Sequence, residues 1–218
     1  MSQPLLPDIL SAEWAAWENV RRDVFQLVAW GYQFVEAEIR QREQEEDITG
    51  LLRKGVRQVL DKEPPEGYSH LEQYFAANED PVDDDGTFGK NRPRLDIMIE
   101  RSGTYPRRRY RLEGKRCARN VNPIGWYVEG IEAFVSRRYA KDSPEGGLLG
   151  LVQSDTPLRW KQQLARKLAK DASLACIGSL IDIDLTPDLP EMSVSYHRRS
   201  DGSAIALCHA FLDCNLSE

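Results

Sequence analysis

Apolar residues recur at helical spacing in the first part of the chain. Between residues 11 and 61 they form two sets, separated by the charged run RQREQEED. This spacing places apolar side chains on one face of a helix. It predicts two amphipathic helices, the first beginning at the N-cap Ser11 and broken or bent at Gly31. The apolar positions are Trp14, Trp17, Val20, Val24, Leu27, Phe34 and Val35, then Ile48, Leu51, Leu52, Val56, Val59 and Leu60.

In the middle of the chain the pattern changes from helical spacing to alternation. In RLDIMIE (residues 94–100) the apolar Leu95, Ile97 and Ile99 occupy every second position, a period of two that is typical of a strand. After the turn RSGTYPRRR, the segment RYRLEGKRC predicts a second strand, close enough to pair with the first in antiparallel. If the apolar residues face the core, Asp96 faces the other side of the sheet.

The rest of the chain predicts two further helices and several strands. Residues 126–140 have helical spacing, and TPLRWKQQLARKLAKD has Thr156 as N-cap and Pro157 at its first position. GLLGLVQS is typical of a buried strand, and LACIGSLIDIDL, MSVSYHRR and SAIALCHAFLDC predict two or three final strands. We therefore expect an α/β fold in which a central mixed β-sheet is flanked by helices, with an N-terminal helical extension over 1–40 and the α/β domain over 41–218.

Composition narrows the class of protein. A chain of 218 residues with 41% hydrophobic residues fits one folded domain and argues against disorder. The net charge of −6 argues against non-specific coating of nucleic acid or anionic lipid. No apolar run approaches the roughly 18 residues of a membrane helix, and no secretory signal is visible, so we expect a cytoplasmic protein without membrane contact.

The four cysteines form no C-x-x-C pair. In a cytoplasmic chain they are expected to be free, buried thiols. A zinc site built from CHAFLDC and His197 is the alternative, although its spacing matches no common finger.

The second predicted strand of the central pair carries the candidate chemistry. In YRLEGKRC, Glu113 and Lys115 are two residues apart, so their side chains leave the same face of the strand. Antiparallel pairing can bring Asp96 beside Glu113. Two close carboxylates repel each other and one pKa rises, unless a cation such as Mg²⁺ lies between them. Lys115 could then hold or deprotonate the attacking water, or stabilise charge on a phosphate.

Asp96 followed by Glu113-Gly114-Lys115 resembles the PD-(D/E)xK nucleases, the restriction-endonuclease-like superfamily. The resemblance covers roughly residues 40–175 and implies a helix before the two strands, then a helix and a buried strand after them. It implies an Mg²⁺-dependent (endo)nuclease that hydrolyses phosphodiester bonds of nucleic acid, with DNA as the expected substrate and Mn²⁺ able to replace Mg²⁺. Asp96, Glu113 and Lys115 would be its catalytic residues.

The resemblance also bears on two other positions. Leu95 departs from the family pattern, in which a proline often precedes the Asp. In such nucleases a Glu near the start of the first core helix often joins the metal site, so we assign Glu46 to the metal beside Asp96 and Glu113. The alternative for Glu46 is a solvated acid favoured by the helix dipole.

Arginines gather around the same strand in an otherwise acidic protein. Arg is suited to bidentate contacts with phosphate, so the cluster predicts a track for the nucleic-acid backbone. A solubilising hairpin loop is the alternative. The acidic segment 79–85 would oppose DNA near the cleft, or would mark a partner-binding or gating segment. The predicted track comprises Arg107, Arg108, Arg109, Arg111 and Arg116.

Three functions stay open at this point. The first is the metal-dependent nuclease, the second is a catalytically silent nucleic-acid-binding or assembly subunit with the same fold, and the third is an unrelated α/β interaction protein. The sequence contains no zinc finger or clear helix-turn-helix, so we expect a protein partner or a homodimer to assist target recognition. The resemblance suggests bacterial anti-phage defence, with DNA repair as the second possibility.

Overall fold

The computed structural model describes residues 8–40, 43–77, 96–103, 107–119 and 123–215. Leu95, the acidic segment 79–85 and part of the turn after the first central strand lie outside these residues. The described residues contain four α-helices, in the regions where the apolar spacing predicts them. They are α1 (Asp8–Val35), α2 (Glu45–Leu60), α3 (Pro123–Val135) and α4 (Pro157–Lys170).

One helix end follows the sequence signals and two depart from them. The Thr156 side chain accepts a hydrogen bond from the Arg159 N–H at 3.3 Å, which confirms the predicted cap of α4. The predicted N-cap at Ser11 is wrong, because α1 already begins at Asp8. Helix α3 ends at Val135, earlier than the periodicity predicts.

The predicted break at Gly31 is also wrong, since α1 continues to Val35. Gly31 lies where α1 meets α2. A Cβ at Gly31 would lie 2.7 Å from the backbone nitrogen of Val56, and one at Gly55 would lie 2.1 Å from the Gly31 carbonyl oxygen. No side chain fits at such distances, so the two glycines allow the helix backbones to touch.

In the described part of the chain, seven strands form one mixed sheet in the order β1-β2-β3-β4-β7-β6-β5. Strands β1, β2 and β3 are antiparallel neighbours, whereas β3, β4 and β7 run parallel to one another. The antiparallel central pair and the mixed sheet are thereby confirmed. The strands are β1 (Tyr74–Ala77), β2 (Ile97–Arg101), β3 (Arg108–Cys117), β4 (Glu145–Val152), β5 (Ile181–Asp182), β6 (Ser193–Arg198) and β7 (Ala204–Asp213).

Helices cover both faces of the sheet. Ile97, Ile99 and Leu112 are buried in a core shared with α1 and α2, as the alternation in RLDIMIE predicts. Leu148 and Val152 are buried in a second core with α3 and α4. Because α1 supplies many side chains to the first core, the predicted N-terminal extension packs into the α/β domain. No described helix combines the length and the apolar character that a bilayer crossing needs.

A buried ion pair fixes α1 to the sheet. The Arg21 guanidinium donates to Glu145 of β4, with Nε 3.1 Å from Oε2, and both side chains are only 1% exposed. Arg21 also donates to the Trp14 carbonyl at 2.8 Å and lies over the Trp14 ring. A buried pair with its hydrogen bonds satisfied costs a great deal to break, so it holds α1 in one position.

Candidate active site

Strand β2 begins at Ile97, which is paired with Leu112, so β3 continues past the end of this pairing. In that part of β3, two carboxylates accept hydrogen bonds from backbone N–H groups. Asp96, immediately before β2, accepts from the Gly114 N–H at 2.8 Å. Glu45, the first residue of α2, accepts from the Arg116 N–H at 3.0 Å. Because Gly114 and Arg116 flank one position of the strand, the two carboxylates lie on either side of that position, which is Lys115.

The Lys115 ammonium is paired with two carboxylates. Its Nζ lies 2.7 Å from Glu45 Oε1 and 2.9 Å from Glu113 Oε1, and the side chain is 15% exposed. Burial lowers the pKa of Lys115, but the charges of Glu113 and Glu45 outweigh burial and raise the pKa above its ordinary value. An ammonium held so firmly is a poor base. Of the roles that the sequence leaves open, holding the water and stabilising charge therefore fit better than deprotonation.

Glu113 is buried, and one of its oxygens lacks a partner. Its Oε1 contacts Lys115 and, at 3.5 Å, the Tyr139 hydroxyl. Its Oε2 has no hydrogen-bond partner among the described residues. Burial, with repulsion from Asp96 as the second cause, raises the pKa of Glu113 to about 7, although Lys115 acts in the opposite direction.

Asp96 shows the same electrostatic conflict. Burial raises its pKa to about 6, while the hydrogen bond from Gly114 and the charge of Lys115 lower it, and Glu45 and Glu46 raise it further. The charge of Asp96, which the sequence predicts to repel Glu113, is among the causes that raise the pKa of Glu113.

The donor set can be tested against a hard divalent cation. Asp96 and Glu113 offer carboxylate oxygens, and the buried Glu113 Oε2 is an acceptor without a donor. Within the described residues, no group of three or more His, Cys, Asp or Glu side chains is arranged to hold a metal ion. Mg²⁺ usually keeps several waters and needs only one or two carboxylates. The residues therefore fit a hydrated Mg²⁺ better than a cage made of protein ligands alone.

The start of α2 supplies a residue that sequence reasoning did not select. Glu45 contacts Lys115 and the Arg116 N–H directly. Glu46 lines the same cleft, and its charge raises the pKa of Asp96, but the role assigned to it at the metal stays a prediction. The sequence offered Glu45, Glu46 and Asp47 together, and only the approach of α2 to β3 separates them.

Two glycines make room for this arrangement. A Cβ at Gly114 would lie 2.3 Å from Thr49 Cγ2, so the glycine between Glu113 and Lys115 lets α2 lie against β3. A Cβ at Gly130 of α3 would lie 3.4 Å from Lys115 Cε and closer still to Leu148. The Lys115 side chain thus packs against α3 at Gly130, where the helix carries no side chain.

The structure separates the five arginines of the predicted track. Arg107 and Arg109 both pair with Glu100 of β2, at 2.9 and 2.8 Å. Burial raises the pKa of Glu100, but the hydrogen bonds from these two arginines lower it below its ordinary value. Arg108 points to the other face, where it donates to the Ala16 carbonyl of α1. By alternation along β3, Arg109 and Arg111 share the face of Glu113 and Lys115. Arg107 precedes β3 and reaches the same face through Glu100, which lies opposite Arg109.

A cleft of about 410 Å³ opens beside Lys115. Arg116 lies at this cleft and also donates through Nε to Gln153. Sequence reasoning missed Glu45, Trp126 and Glu129 as part of the site, because each reaches it through a helix whose placement is not local information. The lining residues are Gln44, Glu45, Glu46, Lys115, Arg116, Trp126 and Glu129.

The cysteines and histidines of the C-terminal strands form no metal site among the described residues. All four thiols are free, as predicted, and three are buried, but the prediction of burial is wrong for Cys176, which is half-buried. His197 and His209 are buried, and the Ser195 hydroxyl lies 2.6 and 2.8 Å from their Nε2 atoms. Their Nδ1 atoms are engaged by the Leu174 carbonyl and the Tyr127 hydroxyl, so no ring nitrogen is left for zinc.

No family model, curated protein or solved structure matches this chain. The functional conclusion is therefore built on the geometry of Asp96, Glu113, Lys115 and Glu45.

Proposed function

We propose that this chain is a metal-dependent nuclease that hydrolyses phosphodiester bonds of nucleic acid, with DNA as the expected substrate. The observation that supports this is the position of Asp96 and Glu113 at one end of an antiparallel strand pair, with Lys115 bonded to Glu113 and a Glu113 oxygen left without a partner. The order of α2, the antiparallel strands, α3 and the parallel strand β4 is the order that a restriction-endonuclease-like fold implies.

Each residue has a distinct part in this proposal. Asp96 and Glu113 would hold Mg²⁺ through carboxylate oxygens, and Mn²⁺ would serve as well. Bound Mg²⁺ supplies a Lewis acid that polarises the phosphodiester. Lys115 remains an ammonium, so it donates hydrogen bonds to the attacking water or to a phosphate oxygen and stabilises negative charge there. Glu45 keeps that ammonium in place.

Lys115 needs this second carboxylate. If Glu113 turns toward a cation, Lys115, whose side chain is largely buried, loses one of its two partners. An unpaired buried ammonium is strongly destabilising. Glu45 retains the pair, so Glu113 can change partner without leaving Lys115 alone.

A second candidate is a catalytically silent nucleic-acid-binding or assembly subunit with the same fold. Two observations favour it: Lys115 is already neutralised by two carboxylates, and the described residues contain no ready-made group of three metal ligands. In either case we propose a protein partner or a second copy of the chain for target recognition, and a cytoplasmic role in defence against foreign DNA.

Cleavage assays separate the two candidates. Purified protein is incubated with supercoiled plasmid, linear duplex and single-stranded oligonucleotides, with Mg²⁺, with Mn²⁺ or with EDTA. The nuclease proposal expects metal-dependent cleavage that is lost in Asp96→Asn and Glu113→Gln, which keep the side-chain size. Cleavage that persists in both variants contradicts the assigned site. Nucleic-acid binding without cleavage of any substrate supports the silent subunit.

A further inference from the structure

Trp126 is placed unlike the other tryptophans of the chain, all five of which lie in the described part. Trp14, Trp17 and Trp30 pack against the first core, and Trp160 is buried in the second. Trp126 belongs to neither core. It is 40% exposed near the start of α3, and it lines the cleft beside Lys115. What distinguishes Trp126 is this position, because a ligand in the cleft can reach its ring.

We infer that Trp126 is a stacking platform for an unpaired nucleobase, so that the site takes single-stranded or locally unpaired nucleic acid. The inference rests on the proposed function, which supplies nucleic acid as the ligand. Every base has a π face, so stacking on an aromatic side chain accepts any sequence. Within a duplex, both faces of a base are already covered by its neighbours, and the base must leave the stack to reach such a ring.

The charges around the cleft support an unpaired base rather than a duplex backbone. Among the residues that the structure describes, the lining comprises the acids Glu45, Glu46 and Glu129 and the cations Lys115 and Arg116, and Lys115 is already paired. Such a lining gives little attraction for a row of phosphates. A base that stacks on Trp126 depends less on positive charge in the lining, because stacking is not an interaction between charges.

Polar groups beside the ring could contact the edge of the base. Glu129 lies three residues after Trp126 on α3 and lines the same cleft, as does Gln44, the N-cap residue of α2. Residues three apart are neighbours on a helix surface. The carboxylate of Glu129 can accept from a base amino group, and the Gln44 amide can both donate and accept.

Binding assays test the inference. The Glu113→Gln protein is used so that the strand stays intact, and its affinity is measured for a labelled single strand of about 12 nucleotides, as DNA and as RNA, and for the matched DNA duplex. The single strands are expected to bind more tightly than the duplex. Trp126→Ala should weaken single-strand binding about tenfold, whereas Trp126→Phe should retain most of it, because a phenyl ring still stacks.

Phe34→Ala provides a matched control. Phe34 is 42% exposed and lines a different groove, formed with Trp30 and Val59 near the other end of α2. This variant removes a comparable amount of exposed aromatic surface, and it should leave single-strand affinity unchanged. The DNA and RNA arms show which sugar the site prefers.

Several outcomes would overturn the inference: equal affinity for single strand and duplex, no binding of either, an unchanged affinity in Trp126→Ala, or an equal loss in Phe34→Ala. Failure of the nuclease proposal looks different. In that case the parent protein cleaves nothing in Mg²⁺ or Mn²⁺, while single-strand binding still depends on Trp126.

Discussion

Lys115 and Glu45 form an ion pair with a nitrogen–oxygen distance of 2.7 Å, and it joins the middle of the sheet to the first residue of α2. The same carboxylate accepts the Arg116 N–H. Glu45 therefore holds both the Lys115 ammonium and the adjacent backbone of β3 in place. This dual contact leads to the first prediction.

Glu45→Gln is expected to weaken Mn²⁺ binding several-fold and to reduce cleavage, because Lys115 would then depend on Glu113 alone and compete with the metal for it. Calorimetric titration with Mn²⁺, beside the cleavage assay, measures both effects. Glu46→Gln is the comparison, since Glu46 lines the same cleft without being the direct partner of Lys115. A larger loss in Glu46→Gln than in Glu45→Gln would favour Glu46 as the metal ligand.

Lys115→Met should retain or slightly tighten Mn²⁺ binding, because it removes a positive charge without removing a ligand oxygen. Cleavage should fall roughly a hundredfold or more, the scale of losing one positioned electrostatic group. Lys161→Met is a matched control. Lys161 is 13% exposed and pairs with Glu191 and Asp182, so its loss affects stability but not chemistry. Normal cleavage by Lys115→Met would remove this residue from the active site.

The raised pKa of Glu113 predicts that the free energy of unfolding depends on pH. Its pKa is raised from 4.5 to about 7 by burial and by Asp96, so the folded protein binds this proton more tightly than the unfolded chain does. That contribution is complete below about pH 4.5 and is lost as the pH rises through about 7. Glu113→Gln should therefore gain about 1–3 kcal/mol relative to the parent between about pH 5 and pH 8.

Urea unfolding at these pH values measures the difference, with the exposed Glu129→Gln as the control. Parallel pH profiles for Glu113→Gln and the parent would show that Glu113 is already ionised and fully compensated in the folded protein.

The buried histidines predict the opposite trend with pH. Burial lowers the pKa of His197 to about 4 and that of His209 to about 3. The unfolded chain takes up these protons first, so the stability they contribute is present above about pH 6.5 and is lost as the pH falls toward about 4. NMR titration of the imidazole C–H signals should show both rings neutral at about pH 5.5. Protonation of either ring in the folded protein near neutral pH would refute the hydrogen-bond chain through Ser195.

The arginines around β3 should not contribute equally to nucleic-acid binding. Arg107 and Arg109 share the face of Lys115, whereas Arg108 is bonded to α1. Replacing Arg107 and Arg109 together with Ala should reduce the slope of log affinity against log salt by about one to two, one per lost phosphate contact. Arg108→Ala should leave the slope unchanged. An unchanged slope in both variants would mean that Arg107 and Arg109 serve only to neutralise Glu100.

Local patterns were sufficient to predict some parts of the site. Alternation in RLDIMIE assigned Ile97 and Ile99 to the core, and the two-residue spacing placed Glu113 and Lys115 on one face. Both features depend only on strand geometry, which sequence period reveals. The antiparallel pairing followed from the short connection between the strands.

Other parts depend on contacts between distant segments. Glu45 was one of three adjacent acids, and its selection follows from the approach of α2 to Gly114. Strand β1, with the short sequence YFAA, has too few residues for alternation to be recognised and has no counterpart in the prediction. Gly31 looked like a helix breaker because a glycine that meets another helix has the same local signature as one that ends a helix.

The contact between Gly31 and Gly55 helps to determine where the first residue of α2 lies in the candidate active site. Gly55 lies about 15 Å along the helix from Glu45, at a rise of about 1.5 Å per residue. Any side chain at Gly55 must push α2 away from α1, and a stiff helix carries that shift to its first residue. The distance between Glu45 and Lys115 is thus set partly by two glycines that lie outside the cleft, and substitutions there would change that distance.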